Sequence, residues 1–175
     1  LVKLNTNECH YPPSPRVMEA IAAVSADALR LYPDPESVAL RRAIAQRNGL
    51  QVEQVFVGNG SDEVIALAFL ALLNHTLPLY FPDVSYSFYP VWADLYGIAY
   101  TTIPVAQDFS IDPASYPARN GGIIISNPNA PTGMLISLDA IRTLLCKSAD
   151  SAVVIDEAYI DFGGESAVQL IGEFD

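Results

Sequence analysis

The sequence predicts an α/β fold: a mostly parallel sheet with helices on both faces, preceded by an N-terminal arm and helix. Three observations carry this. Short, continuously apolar runs (Pro78-Leu79-Tyr80-Phe81, Gly122 to Ser126, Ser151 to Asp156) lack the polar alternation of a strand with one wet face. Helical patterns alternate with them along the chain, as crossover connections between parallel strands require. Turn residues crowd the segments that follow the runs, where an open parallel sheet collects its ligands.

The elements follow in order. Residues 3–15 are polar and rich in proline (Pro12, Pro13, Pro15), which reads as an extended arm. Ser14-Pro15 opens a helix, with proline at the first position, where no N–H is missed. Val17, Ile21, Val24 and Ala28 continue it at helical spacing until Leu31-Tyr32-Pro33-Asp34-Pro35 breaks it. Glu36 to Asn48 is a second helix, stopped by Gly49. Gln54 to Val57 reads as a short strand, Gly58-Asn59-Gly60-Ser61 as a tight turn, and Asp62 to Leu73 as a helix apolar almost all round. The strand at 78–81 comes next, then an aromatic helix over Tyr86 to Tyr96 and a strand from Ala99 to Val105. The isoleucine run at 122–126 reads as a central strand, Leu138 to Leu145 as a helix, and 151–156 as a fully buried strand. The expected domain boundary falls after residue 32, leaving 1–32 as arm and helix and 33–175 as the main domain.

Composition narrows the function. Of 175 residues, 51% are hydrophobic and 17% charged, which excludes a disordered chain. Nine Lys+Arg against 20 Asp+Glu give a formal charge of -11, so the basic stripe of a nucleic-acid binder is missing and an anionic membrane surface is disfavoured. The longest apolar run, Val64 to Leu73, is about half a bilayer span, and no signal peptide is visible. Cys9 and Cys146 stand in unrelated settings, with neither metal spacing nor a disulfide framework. A cytoplasmic location is the expectation.

Three strand ends carry chemistry. In Gly58-Asn59-Gly60-Ser61-Asp62-Glu63, glycines permit close backbone approach and the following helix offers free N–H groups to an anion. Taken alone, this is also how an ordinary capped helix begins. A dinucleotide fingerprint would need a third glycine where Glu63 stands, and a Walker loop would need a lysine. Ile125-Ser126-Asn127-Pro128-Asn129-Ala130-Pro131-Thr132-Gly133 is a rigid turn holding two asparagine amides. In Val154-Ile155-Asp156-Glu157-Ala158-Tyr159, a carboxylate follows a buried strand, where it needs a cationic partner or a capping role. Tyr159 places a phenol nearby.

Together, in this order, Asn-Gly-Ser-Asp-Glu, Ser-Tyr, Asn-Pro-Asn-Ala-Pro-Thr-Gly and Asp-Glu-Ala-Tyr resemble the fold-type I pyridoxal-phosphate aminotransferases. The segments Leu4-Asn5-Thr6-Asn7-Glu8, Tyr11-Pro12-Pro13-Ser14-Pro15 and Leu31-Tyr32-Pro33-Asp34 are similar to those of the histidinol-phosphate subgroup. The resemblance spans the whole chain but only about the first half of a family member. It implies pyridoxal 5'-phosphate as cofactor, with its phosphate on Ser61, Asp62 and Glu63, its ring under Tyr86 and its ring nitrogen on Asp156. Tyr159 and an asparagine would meet the ring hydroxyl. The family carries asparagine directly before Pro-Thr-Gly, where this chain has Ala130, so the asparagine expected is Asn129, with Asn127 behind it. Tyr32 would serve the phosphate of a neighbouring subunit, implying a homodimer, and Tyr11 the substrate. The implied substrates are a phosphorylated amino alcohol, histidinol phosphate, and the 2-oxoglutarate/glutamate pair. Neither Lys3 nor Lys147 matches the family's Schiff-base lysine, which is expected beyond Asp175, so the 175 residues alone are expected to be inactive. His10 and His75 are read as incidental. The alternatives are a threonine-phosphate decarboxylase or an aromatic aminotransferase of the same fold, a non-catalytic cofactor-fold fragment, and a dinucleotide-dependent oxidoreductase.

Overall fold

A computed structural model describes residues 2–3 and 6–174. Leu4 and Asn5, which belong to the arm motif, lie outside the described residues. The chain divides into two compact units, Leu1–Val55 and Phe56–Asp175.

The first unit is helical. The helix expected from Ser14 onward forms in two pieces, α1 (Pro15–Ala22) and α2 (Ala26–Leu29). The break has a local cause: the Ser25 hydroxyl accepts from the Ala28 N–H at 3.1 Å and starts a new N-terminus. Next, α3 (Val38–Asn48) begins two residues later than the periodicity suggests. The Asp34 carboxylate takes the N–H groups of Glu36 and Val38, at 3.0 and 2.8 Å, and holds them in a turn. Gly49 ends α3 with φ 68°, a conformation that favours glycine. Residues 52–54 form a 3₁₀ turn. The strand expected over Gln54–Val57 does not form: these residues pair with no strand among the described residues. An apolar run makes a strand only where a neighbour accepts its backbone groups.

The second unit is the α/β layer. Four parallel strands, β1 (Leu79–Pro82), β2 (Tyr100–Ile103), β3 (Ile123–Ser126) and β4 (Val153–Asp156), lie in the order β2-β1-β3-β4. The helices are α4 (Ser61–Ala71), α5 (Phe88–Tyr96) and α6 (Leu138–Lys147). All four β3 residues are buried, and they alternate between faces. Ile124 joins the core of α4 and α5, with Phe69, Phe81 and Tyr89. Ile123 and Ile125 join that of α6, with Ile141 and Leu144. Helices therefore cover both faces, as the continuous apolar runs require. Full burial of each isoleucine contributes about 1.5–3 kcal/mol.

One reading of the strands needs correction. β4 is half-buried along its length, and among the described residues it pairs with β3 alone. The run Val153-Val154-Ile155 is as apolar as β3, but composition does not encode strand order.

After β1 the chain moves outward to β2, then returns across β1 to add β3 and β4 on the other side. This reversal opens a crevice at the carboxyl ends of β1 and β3. The two strands approach closely at Gly121, whose N–H donates to the Pro78 carbonyl at 2.8 Å. A Cβ there would stand 2.0 Å from the Leu77 carbonyl oxygen, so only glycine fits.

Candidate functional site

The crevice holds a cavity of about 200 Å³ lined by Ser61, Asp62, Tyr86, Ser126, Ala130, Asp156, Ala158 and Tyr159. Four separate segments contribute: the first turn of α4, the β1–α5 loop, and the segments that follow β3 and β4.

The α4 end is built for an anion. Gly60 precedes the helix with φ 86°, a turn that a side chain would strain. The Val64 N–H returns to the Gly60 carbonyl, while those of Ser61, Asp62 and Glu63 meet no protein acceptor among the described residues. Their positive dipole end and the Ser61 hydroxyl remain available. Both acidic side chains of this turn are engaged. Glu63 folds back so that Oε2 accepts from the Asn59 N–H, and it does not line the cavity. Asp62 Oδ1 accepts from the Tyr86 hydroxyl at 2.8 Å. Burial first, then that hydrogen bond and the charge of Asp62, pushes the Tyr86 phenol up to about 12.

Asp156 ends β4 beside Ser126, its register partner on β3. Its Oδ1 accepts from the Ala158 N–H at 3.2 Å, and its Oδ2 from the Tyr89 hydroxyl at 2.8 Å. Tyr89 is fully buried, and its ring meets those of Phe81 and Tyr86 edge-on, with centroids 5.8 and 5.6 Å away. Burial, reinforced by the neighbouring carboxylate, pushes the Tyr89 phenol far above its ordinary range, so it is present as a donor.

The segment after β3 corrects the expectation for its asparagines. Asn129 is fully buried and does not line the cavity; its Nδ2 donates to the Val84 carbonyl at 2.8 Å, while Oδ1 has no partner. Asn127, also buried, donates to the Ile136 carbonyl and accepts the Ile136 N–H, at 3.3 and 3.1 Å. Both amides hold the loop together. The residue turned to the cavity is Ala130, whose N–H donates to the Ser126 hydroxyl at 3.2 Å. Side-chain direction in so irregular a turn has no period from which it could be read.

Of the residues singled out from sequence, Ser61, Asp62, Tyr86, Asp156 and Tyr159 line this one cavity. Tyr11 and Tyr32 belong to the first unit, where both are exposed. Ser126, Ala130, Ala158 and the supporting Tyr89 were not anticipated. Tyr89 had a faint signal: it falls three residues after Tyr86, one helical turn on. The two lysines are engaged elsewhere, Lys3 with Glu8 at 2.9 Å and Lys147 Nζ with the Ala114 carbonyl at 2.7 Å.

Among the described residues no helix is long and apolar enough to cross a membrane. No group of three or more His, Cys, Asp or Glu side chains that could hold a metal ion occurs among them.

The sequence and the fold have counterparts among known proteins. The profile of the family described as aminotransferase class I and II matches residues 1–174. Histidinol-phosphate aminotransferase 2 of Dechloromonas aromatica (strain RCB) is 58% identical over 179 residues, covering 100% of this chain and 50% of that protein. Histidinol-phosphate aminotransferase 1 of Hydrogenovibrio crunogenus is also 58% identical, covering 98% of this chain and 48% of its own length. The chain thus spans about half the length of the curated relatives it matches. Among solved structures, histidinol-phosphate aminotransferase from Sinorhizobium meliloti in complex with pyridoxal-5'-phosphate superposes with a TM-score of 0.83. At 23% identity, over 93% of this chain and 45% of that one, it supports the fold.

Proposed function

The chain belongs to the aminotransferase class I and II family, and from that premise we propose that its protein is a pyridoxal-phosphate-dependent histidinol-phosphate aminotransferase. It would exchange an amino group between histidinol phosphate and the 2-oxoglutarate/glutamate pair, in histidine biosynthesis. The observation that carries this reading is the cavity of about 200 Å³, where open N–H groups of α4 meet a carboxylate, an aromatic ring and a phenol.

That donor set fits pyridoxal phosphate. The N–H groups of Ser61, Asp62 and Glu63, with the Ser61 hydroxyl, bind its phosphate. The ring of Tyr86, tied to Asp62 at 2.8 Å, would cover its heterocycle. Asp156 accepts from the ring nitrogen and keeps a proton there. The Tyr159 phenol would meet the ring hydroxyl; at the place expected of Asn129 the cavity wall is Ala130, whose side chain has no donor. When bound, the cofactor supplies the electron sink that amino transfer requires.

The reading extends to the first unit. Residues 1–32 would belong to a small domain, with Tyr11 facing substrate and Tyr32 reaching the cofactor phosphate of a second copy in a homodimer. It assigns the Schiff-base lysine to sequence beyond Asp175, consistent with relatives twice as long and with the engagement of Lys3 and Lys147. The 175 residues alone would therefore not turn over substrate, and the protein would work in the cytoplasm.

The test is titration of the full-length protein with pyridoxal phosphate, followed by borohydride reduction and peptide mass mapping. One cofactor on one lysine beyond Asp175, with amino transfer from histidinol phosphate to 2-oxoglutarate, is the expected result. Turnover of threonine phosphate to carbon dioxide, or preference for aromatic amino acids, would assign a different activity to the same fold. Failure to bind the cofactor would overturn the reading.

A further inference from the structure

A phenol that is fully buried needs a hydrogen-bond partner. For Tyr89, 67 positions before Asp156, that partner is Asp156 Oδ2, at 2.8 Å. The Tyr89 ring is held on several sides: Phe69, Phe81 and Tyr86 stand at centroid distances of 6.2, 5.8 and 5.6 Å. The hydroxyl is therefore delivered by a packed core rather than by a mobile side chain.

Asp156 stands at the end of β4, half-buried, with no cation within salt-bridge distance among the described residues. Left to itself, its carboxylate could rotate about χ2, a broad torsion. Two donors oppose this, the Ala158 N–H on Oδ1 and Tyr89 on Oδ2. Each carboxylate oxygen can accept more than one hydrogen bond, so both keep acceptor capacity toward the cavity.

We propose that Tyr89 is a positioning residue, whose hydroxyl holds the Asp156 carboxylate in the orientation that accepts a cationic heterocyclic N–H in the cavity. The role rests on the cofactor reading above and deepens it. Tyr89 does not touch the ligand; it acts through Asp156. Its buried hydroxyl remains a donor throughout the working pH range, so the brace does not loosen as the protein titrates.

The experiment compares the full-length protein with Tyr89→Phe, which keeps the ring and removes the hydroxyl. Each is titrated with pyridoxal phosphate and with its deaza analogue, in which carbon replaces the ring nitrogen. The expected result is an apparent Kd for pyridoxal phosphate raised about tenfold, the weight of one hydrogen bond to a charged group, with deaza-analogue affinity unchanged. The 15N resonance of labelled cofactor should move toward the unprotonated position. A second comparison guards against loss of packing: in an Asp156→Asn background, Tyr89→Phe should have no further effect on affinity. Equal weakening for both ligands, or an undiminished effect in the Asp156→Asn background, would mean Tyr89 acts through packing alone and would overturn the proposal. Unchanged affinity for pyridoxal phosphate would overturn it too, while leaving the cofactor reading intact. If the unsubstituted protein binds neither ligand, the cofactor reading fails and the proposal with it.

Discussion

The hydroxyl of Tyr86 donates to Asp62 Oδ1 at 2.8 Å, tying the loop after β1 to the first turn of α4. The tie turns a carboxylate that would repel an anion into the anchor of an aromatic ring. It also gives Tyr86 a measurable signature. Burial and the Asp62 carboxylate together place its phenol at about 12, against about 10 for an ordinary tyrosine. The folded protein therefore binds a proton that the unfolded chain has already released. The stability this supplies is complete below about pH 10 and lost as the pH rises through about 12. Phenolate absorbance, read as the difference between the protein and Tyr86→Phe, should show the late titration. Asp62→Asn should bring it earlier, leaving burial as the main remaining cause. An identical midpoint in Asp62→Asn would show the hydrogen bond to be absent.

Gly121→Ala should destabilise the fold strongly. The new Cβ would lie 2.0 Å from the Leu77 carbonyl oxygen and 2.7 Å from its carbon, both backbone atoms that cannot swing aside. Separating β1 from β3 at this point should cost about 3 kcal/mol or more. Urea unfolding would measure the loss; a change within experimental error would mean the strands do not approach so closely.

Asn127→Ala removes both side-chain partners of Ile136 and leaves a buried carbonyl and N–H unmet. A cost of about 1–3 kcal/mol follows for stranded buried groups. The loop over the cavity should loosen with it, seen as faster amide exchange at Ile136. Asn129→Ala should show the same kind of loss by freeing the Val84 carbonyl. It should not behave as removal of a ligand contact: cofactor affinity should fall no further than loop loosening explains.

Gly60→Ala keeps the space but not the conformation. Nothing lies within 4 Å of the added Cβ, yet φ is +86° with ψ 165°, an essentially glycine-only region that costs a side chain about 1–3 kcal/mol. Relaxation of the turn would re-aim the N–H groups at the start of α4. Affinity for pyridoxal phosphate should fall more than affinity for its unphosphorylated form, and equal losses would argue against phosphate binding there.

How far the molecule could be read from its sequence differs from element to element. The parallel sheet was legible because Ile123 to Ile125 and Val153 to Ile155 leave no face for water. The three loaded segments were legible because glycine, proline and carboxylates cluster at turns for physical reasons, although only two of the three follow a strand. The half-burial of β4 was not, since composition does not encode strand order. The run at 54–57 misled, because an apolar run records a preference for burial and not the presence of a neighbour. The break at Ser25 does not register in the periodicity, which runs on through Val24 and Ala28. The exchange of Asn129 for Ala130 at the cavity depended on the winding of a turn, and the bond from Tyr89 to Asp156 on two elements folding together.

The order β2-β1-β3-β4 also sets a timetable for synthesis. The α4 turn emerges from the ribosome early, but its opposite wall, Asp156 and Tyr159, emerges about a hundred residues later, and β4 must pair with β3 before the cavity closes. Such non-local pairing bears its loop-closure entropy before any contact offsets it. A nascent chain should therefore hold folded helices while the cavity is still open, and the cavity forms only when β4 joins the sheet.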